Sequence, residues 1–144
     1  MTEIVPRLLL GGAQDAERLA STVALVVNCT TDVPFFGDPM LQRQVRVPVK
    51  DNGDDSQQDV LARILLESDL VDDVLSTLEK GLAVLVHCRA GQQRSPAVVA
   101  ACLLFAGRCR SVGDAITVVR ARKPDAFLGA VNFRRALDLL ERRV

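Results

Sequence analysis

The ten residues Val86-His87-Cys88-Arg89-Ala90-Gly91-Gln92-Gln93-Arg94-Ser95 constrain this chain more than any other segment. Before them, Leu82–Val86 is an unbroken apolar run of strand length, with no polar position to face solvent, which predicts a central strand covered on both faces. After them, Ser95–Phe105 has helical length and composition, and Pro96 fits because a first-turn amide has no intrahelical partner to lose. A turn from strand into helix aims several backbone N–H groups at one spot, with the positive end of the helix dipole behind them. Gly91 lets the backbone curl closely around a ligand, and Arg94 offers a planar fork matched to two phosphate oxygens. Arg89, Ala90, Gly91, Gln92, Gln93 and Arg94 are therefore expected to cradle a tetrahedral anion.

Cys88 stands at the first position of this turn, where amides, dipole and Arg94 all favour thiolate over thiol. Such surroundings lower a cysteine pKa from about 8.5 to roughly 3.5–7.5. A thiolate on the floor of a phosphate cradle is in line to attack phosphorus, and Ser95 is placed to hydrogen-bond that sulfur as it departs. His87 is expected to orient the loop rather than to titrate in turnover. Taken singly, a cysteine is more often an inert core residue and an arginine a solvated one. It is their combination at this spacing, between a strand and a helix, that is specific.

The remaining sequence predicts one α/β domain over residues 1–144. Strands are expected at Arg7–Leu10, Ala24–Asn28 and Gln44–Val47, with a short helix near Gln14–Ala20. Lys50–Asp59, rich in Asp, Asn, Gln and Gly, reads as a loop. Val60, Leu61, Ile64, Leu65, Val71, Val74, Leu75 and Leu78 recur at helical spacing and predict one long amphipathic helix stopped by Gly81. Ser111-Val112-Gly113-Asp114 resembles a capping box opening a helix through Arg122 before Pro124, and a last helix covers Val131–Arg142. Strands alternating with helices give an α/β sandwich with one main sheet.

Lys plus Arg equals Asp plus Glu at 18 each, so no overall field draws the chain to nucleic acid or an anionic membrane. The uncharged runs Leu19–Thr31 and Ser95–Gly107 fall short of the roughly 20 residues of a membrane span, and a signal peptide is not apparent, so no membrane insertion is expected. Cys29, Cys88, Cys102 and Cys109 form no CxxC pair, and the single histidine cannot complete a zinc set, so no metal or other cofactor is expected. Free thiols suit a reducing compartment, and a cytoplasmic monomer is the expectation.

HCRAGQQRS resembles the Cys-x5-Arg-Ser/Thr signature of the protein tyrosine phosphatase superfamily, in its small dual-specificity branch. The similarity extends to Leu8-Leu9-Leu10-Gly11-Gly12-Ala13, Val26-Val27-Asn28-Cys29-Thr30, Val47-Pro48-Val49 and Val118-Val119-Arg120-Ala121-Arg122-Lys123-Pro124, in the family's order. The resemblance implies a central, mixed, mostly parallel sheet of about four or five strands flanked by helices. It also implies a general acid on the Val49-Lys50-Asp51-Asn52 stretch, which assigns Asp51, with Asp54 and Asp55 as rivals. In some relatives a cysteine at the place of Cys29 forms a reversible disulfide with the nucleophile; the alternative here is a buried small hydrophobe. With no Tyr or Trp in the chain, an aromatic wall for a phosphotyrosine ring would fall to Phe35 and Phe36, which equally suit a hydrophobic loop packed on the domain edge.

The leading expectation is metal-free hydrolysis of phosphoprotein, with phosphotyrosine and phosphoserine or phosphothreonine as substrates. Three alternatives remain: the same chemistry on a phosphoinositide, nucleotide or RNA 5′ phosphate; a phosphate-recognition module without turnover; and a rhodanese-like sulfur transferase, which gives no reason for Arg94-Ser95. A basic C-terminal third, including Arg120, Arg122, Lys123, Arg134, Arg135, Arg142 and Arg143, reads as a solvated face more than as a docking surface.

Overall fold

The apolar run before Cys88 forms β5 (Val84–His87), and all four of its residues are buried. In the computed structural model, which describes every residue from Met1 to Val144, β5 lies at the centre of a five-stranded sheet. The other strands are β1 (Thr2–Val5), β2 (Leu8–Gly11), β3 (Leu25–Asn28) and β4 (Arg43–Arg46), in the order β1-β2-β5-β3-β4. β2, β5, β3 and β4 run parallel, and β1 pairs antiparallel with β2 at one edge. The helices are α1 (Ala13–Leu19), α2 (Asp55–Glu67), α3 (Leu70–Glu79), α4 (Arg94–Phe105), α5 (Val112–Arg122) and α6 (Arg134–Glu141). This is the expected mixed, mostly parallel α/β architecture.

Strand alternation sorts side chains between two cores. Leu8, Leu10, Leu25, Val27, Val84 and Val86 join the larger cluster, to which α4, α5 and α6 contribute. Leu9, Val26 and Leu85 join a smaller one with Ala16 of α1. The same alternation carries past the strand ends, so Cys29 and Cys88 fall on the larger core's side. Helix α4 is buried from Ser95 through Leu104, which its apolar run from Pro96 to Phe105 requires.

Four expectations need correction. The long helix is two, α2 and α3: Ser68 is extended at φ −94°, ψ 171°, its hydroxyl donates to the Ile64 carbonyl at 2.5 Å and accepts from Leu70 N–H at 3.3 Å. A serine that bonds the backbone locally competes with helix continuation, whereas apolar spacing is blind to the interruption. The Lys50–Asp59 loop ends early, because Asp54 accepts from Ser56 N–H at 2.9 Å and caps α2 from Asp55. The last helix begins at Arg134, not Val131, since Asn132 and Phe133 are drawn into other contacts. Finally, β1 was not expected; it is a short edge strand joined to β2 by a turn in which Arg7 takes φ 69°.

Two helix boundaries match expectation. Ser111 caps α5 by accepting from Asp114 N–H at 3.1 Å, and Gly81 follows α3 at φ 77°. The C-terminal basic residues are largely committed to the protein itself: Arg120 donates to the carbonyls of Ala126 and Phe127, Arg122 to that of Glu3, and Arg134 and Arg135 pair with Asp138, Asp55 and Asp59. No helix is long and apolar enough to cross a membrane.

Candidate active site

Parallel strands end together, and the ends of β2, β5 and β3 place Gly11-Gly12, Cys88 and Cys29 side by side at one edge of the sheet. Such an edge is where open α/β sheets bind ligands. The chain turns from β5 through Arg89–Gln93 and enters α4 at Arg94. Gly91 takes φ 72°, and a Cβ there would lie 2.9 Å from the Gly11 backbone. A Cβ on Gly12 would meet the Arg89 carbonyl at 2.8 Å, and Ala13 N–H donates to that same carbonyl at 2.9 Å. Two glycines at the end of β2 thus let the turn seat directly on the backbone, a role the sequence pattern alone did not disclose.

Cys88 is 3% exposed. Gly91 N–H donates to its Sγ at 3.2 Å, and Ser95 Oγ also lies 3.2 Å from that sulfur. Burial pushes the Cys88 thiol up, but hydrogen bonds from the Ser95 hydroxyl and N–H and from Gly91 N–H, with the charge of Arg94, outweigh it and the net shift is downward. The three other cysteines shift the opposite way. Burial pushes Cys102 up to about 12, raises Cys109, and lifts Cys29 well above the ordinary range, where the neighbouring Cys88 adds to the effect. All four are free thiols.

Arg94 Nη1 donates to the Val49 carbonyl at 3.0 Å, which ties the cradle to the segment carrying Asp51. An open hollow of about 230 Å³ is lined by Asp51, Cys88, Arg89, Ala90, Gln92, Gln93 and Arg94. Gly91 and Ser95 stand beneath the sulfur rather than in this lining. Neither rival carboxylate lines it: Asp54 caps α2, and Asp55 lies 3.5 Å from Arg135. Cys29 is fully buried beside the nucleophile position, with its N–H donating to the His87 carbonyl at 2.7 Å.

His87 is buried, and its Nδ1–H donates to the Cys88 carbonyl at 3.2 Å, the loop-orienting contact expected of it. Burial lowers the His87 pKa, which favours the neutral ring. Arg89 turns outward to pair with Asp32 at 2.8 Å. Phe35 packs against the smaller core and lies 4.9 Å from the Arg46 guanidinium, while Phe36 is 41% exposed. Neither borders the hollow, and of the two only Phe35 fits the packed-loop reading.

Sequence reasoning missed three supports. Lys123 Nζ donates to the Gly91 carbonyl at 3.0 Å and pairs with Asp125 at 2.8 Å, bracing the cradle from behind. Gln93 Nε2 donates to the Ala130 carbonyl at 2.8 Å. Asn132 reaches both Asp51 oxygens, at 3.0 and 3.1 Å. The contacts with Gly91, Ala130 and Asp51 each span more than 25 positions, beyond what local patterning reports. No group of three or more His, Cys, Asp or Glu side chains is placed to hold a metal ion.

The family model for the dual specificity phosphatase catalytic domain matches residues 10–143. The chain belongs to the dual specificity phosphatase family. It is 32% identical to human dual specificity protein phosphatase 9 over 97% of this chain and 38% of that protein. It is 33% identical to mouse dual specificity protein phosphatase 14, over 86% of this chain and 61% of that protein. The chain therefore spans only part of the length of these curated relatives. Among solved structures, human DUSP28 superposes with a TM-score of 0.82 at 28% identity, covering 99% of this chain and 96% of that one.

Within this phosphatase fold, Gly91 is the position least able to accept a side chain, because both its φ and its contact with Gly11 forbid one. Gly91→Ala is expected to weaken tungstate binding, read by calorimetry, by about tenfold or more, the equivalent of about 1.4 kcal/mol. Gly81→Ala, at a similar φ but in open space, should leave tungstate affinity unchanged. Equal affinities for Gly91→Ala and wild type would contradict this account of the cradle.

Proposed function

We propose that residues 1–144 act as a catalytic domain that hydrolyses phosphomonoesters of protein tyrosine, serine and threonine through a phospho-cysteine intermediate. The observation that carries this reading is that the buried Cys88 sulfur, the Arg94 fork and the Asp51 carboxylate converge on one hollow. The cradle amides and Arg94 hold the phosphoryl oxygens, and the Cys88 thiolate attacks phosphorus. The P–O bond to the leaving group breaks as the S–P bond forms, and Asp51 gives its proton to the departing oxygen. Asp51, now a carboxylate, takes a proton from water. That water breaks the S–P bond, and Ser95 donates to the sulfur as it regains its negative charge.

Several features favour a protein substrate. The hollow is open and shallow enough for a side chain presented on a peptide, and one of its two cations, Arg89, is already paired with Asp32. A headgroup carrying several phosphates would call for more free cations than that. The intact nucleophile and facing carboxylate argue against a recognition module without turnover, which needs neither. Four free thiols suit a reducing, cytoplasmic setting.

In the same reading, Cys29 protects Cys88 from over-oxidation. Peroxide converts the Cys88 thiolate to a sulfenic acid, and the Cys29 thiol then attacks that sulfur, forming a disulfide and releasing water. The two residues follow directly on the paired positions Asn28 and His87 and share one face of the sheet, which suits the short span of a disulfide. After mild peroxide, peptide mass spectrometry should find a Cys29–Cys88 bridge in wild type and Cys88 sulfinic acid in Cys29→Ser. Sulfinic acid alone in both proteins would remove this role.

The catalytic assignment is tested with 4-nitrophenyl phosphate in EDTA under reducing conditions. Cys88→Ser is expected to lose all measurable turnover. On phenyl phosphate, whose leaving group needs a proton, Asp51→Asn should fall by about 10²-fold or more, as loss of a general acid does. Turnover surviving in Cys88→Ser would refute the mechanism.

A further inference from the structure

Asp51 is exposed on the segment between β4 and α2, and the residues after it, Asn52 and Gly53, do little to fix where its carboxylate points; Gly53 even takes φ 77°. What holds the carboxylate comes from a distant stretch of chain, through the two contacts from Asn132 Nδ2. Asn132 is itself pinned on both sides of its backbone. Its N–H donates to Gln93 Oε1 at 3.0 Å, and its carbonyl accepts from Gln58 Nε2. Gln93 belongs to the cradle and is 8% exposed, with its amide nitrogen anchored on the Ala130 and Leu128 carbonyls. Gln58, on α2, also accepts from Ala136 N–H at 3.0 Å.

We infer that Asn132 is a positioning residue that fixes the Asp51 carboxylate beside the cradle, with Gln93 setting its register to the cradle itself. This deepens the proposed reaction and rests on Asp51 being its proton donor. An exposed side-chain hydrogen bond adds little to folding, because water replaces it readily. Proton transfer, by contrast, requires the donor within hydrogen-bond reach of the leaving oxygen, and small misplacements of a reacting group are costly to rate. Asn132 therefore matters most where the leaving group needs its proton. A 4-nitrophenolate departs without much help; a phenolate does not.

The test compares kcat/KM for 4-nitrophenyl phosphate and phenyl phosphate on the same preparations of the whole chain. The variants are Asn132→Ala, Asn132→Asp, Asp51→Asn and the double variant Asp51→Asn with Asn132→Ala. The ratio of the two rates is independent of the fraction folded, so a poorly folding variant still reports. Asn132→Ala is expected to lower the phenyl rate relative to the nitrophenyl rate by about tenfold, a part of the roughly 10²–10⁴ that general acid catalysis contributes. Asn132→Asp, of the same size but without the donor, should do likewise, and the double variant should discriminate no more than Asp51→Asn alone. A wild-type ratio in Asn132→Ala beside a shifted one in Asp51→Asn overturns the inference and leaves the proton donor standing, as does rescue by Asn132→Asp. A wild-type ratio in Asp51→Asn removes Asp51 as the donor and this inference with it.

Discussion

A sulfur atom held out of water, yet surrounded by donors, is the constraint on which the rest of the site depends. Burial alone favours the neutral thiol, and it does so for Cys29, Cys102 and Cys109. At Cys88 the same burial is overcome by the Ser95 hydroxyl, two backbone N–H groups and the Arg94 charge. These groups stand there because a strand ends and a helix begins within seven residues of chain, from Cys88 to Ser95. A low-dielectric site strengthens each of those interactions, so the depth that penalises the charge also strengthens the contacts that overcome it.

The fold serves this arrangement at several removes. Central β5 receives its register from β2 and β3, and β2 ends in the glycines on which the cradle rests. Helix α4 can be apolar from Pro96 onward because α5, α6 and the sheet enclose it, which fixes its N-terminus under the cradle. Lys123, just past α5, holds the Gly91 carbonyl from behind, so the amide side of that turn faces the hollow. Two side chains of the site, Arg94 and Gln93, spend hydrogen bonds outward, on the Val49 carbonyl and the Asn132 N–H. The cradle, the segment bearing Asp51 and the loop before α6 are in this way a single hydrogen-bonded unit.

The turn from Cys88 to Ser95 and the sheet that carries it were legible because each is written locally: an apolar run, a glycine turn, a helix start. Asp51 was reached through family resemblance and the need for a proton donor on its loop, and it lines the hollow. What escaped was of two kinds. Ser68 split one periodic apolar stretch into α2 and α3 through a hydroxyl bonded to its own backbone, a signal that hydrophobic spacing does not register. Asn132, Lys123 and the Gly11-Gly12 pair act across the chain, so their partners become visible only when strands and loops are brought together. Gln93 is instructive, since a residue expected only to cradle the anion also holds a loop.

The most direct test of this account is the pH dependence of iodoacetamide alkylation at Cys88, followed by peptide mapping in wild type and Ser95→Ala. The account predicts alkylation with a midpoint below the ordinary thiol value of about 8.5, an upward shift in Ser95→Ala, and no competing reaction at Cys29 or Cys102. A midpoint at or above the ordinary value in wild type would contradict it.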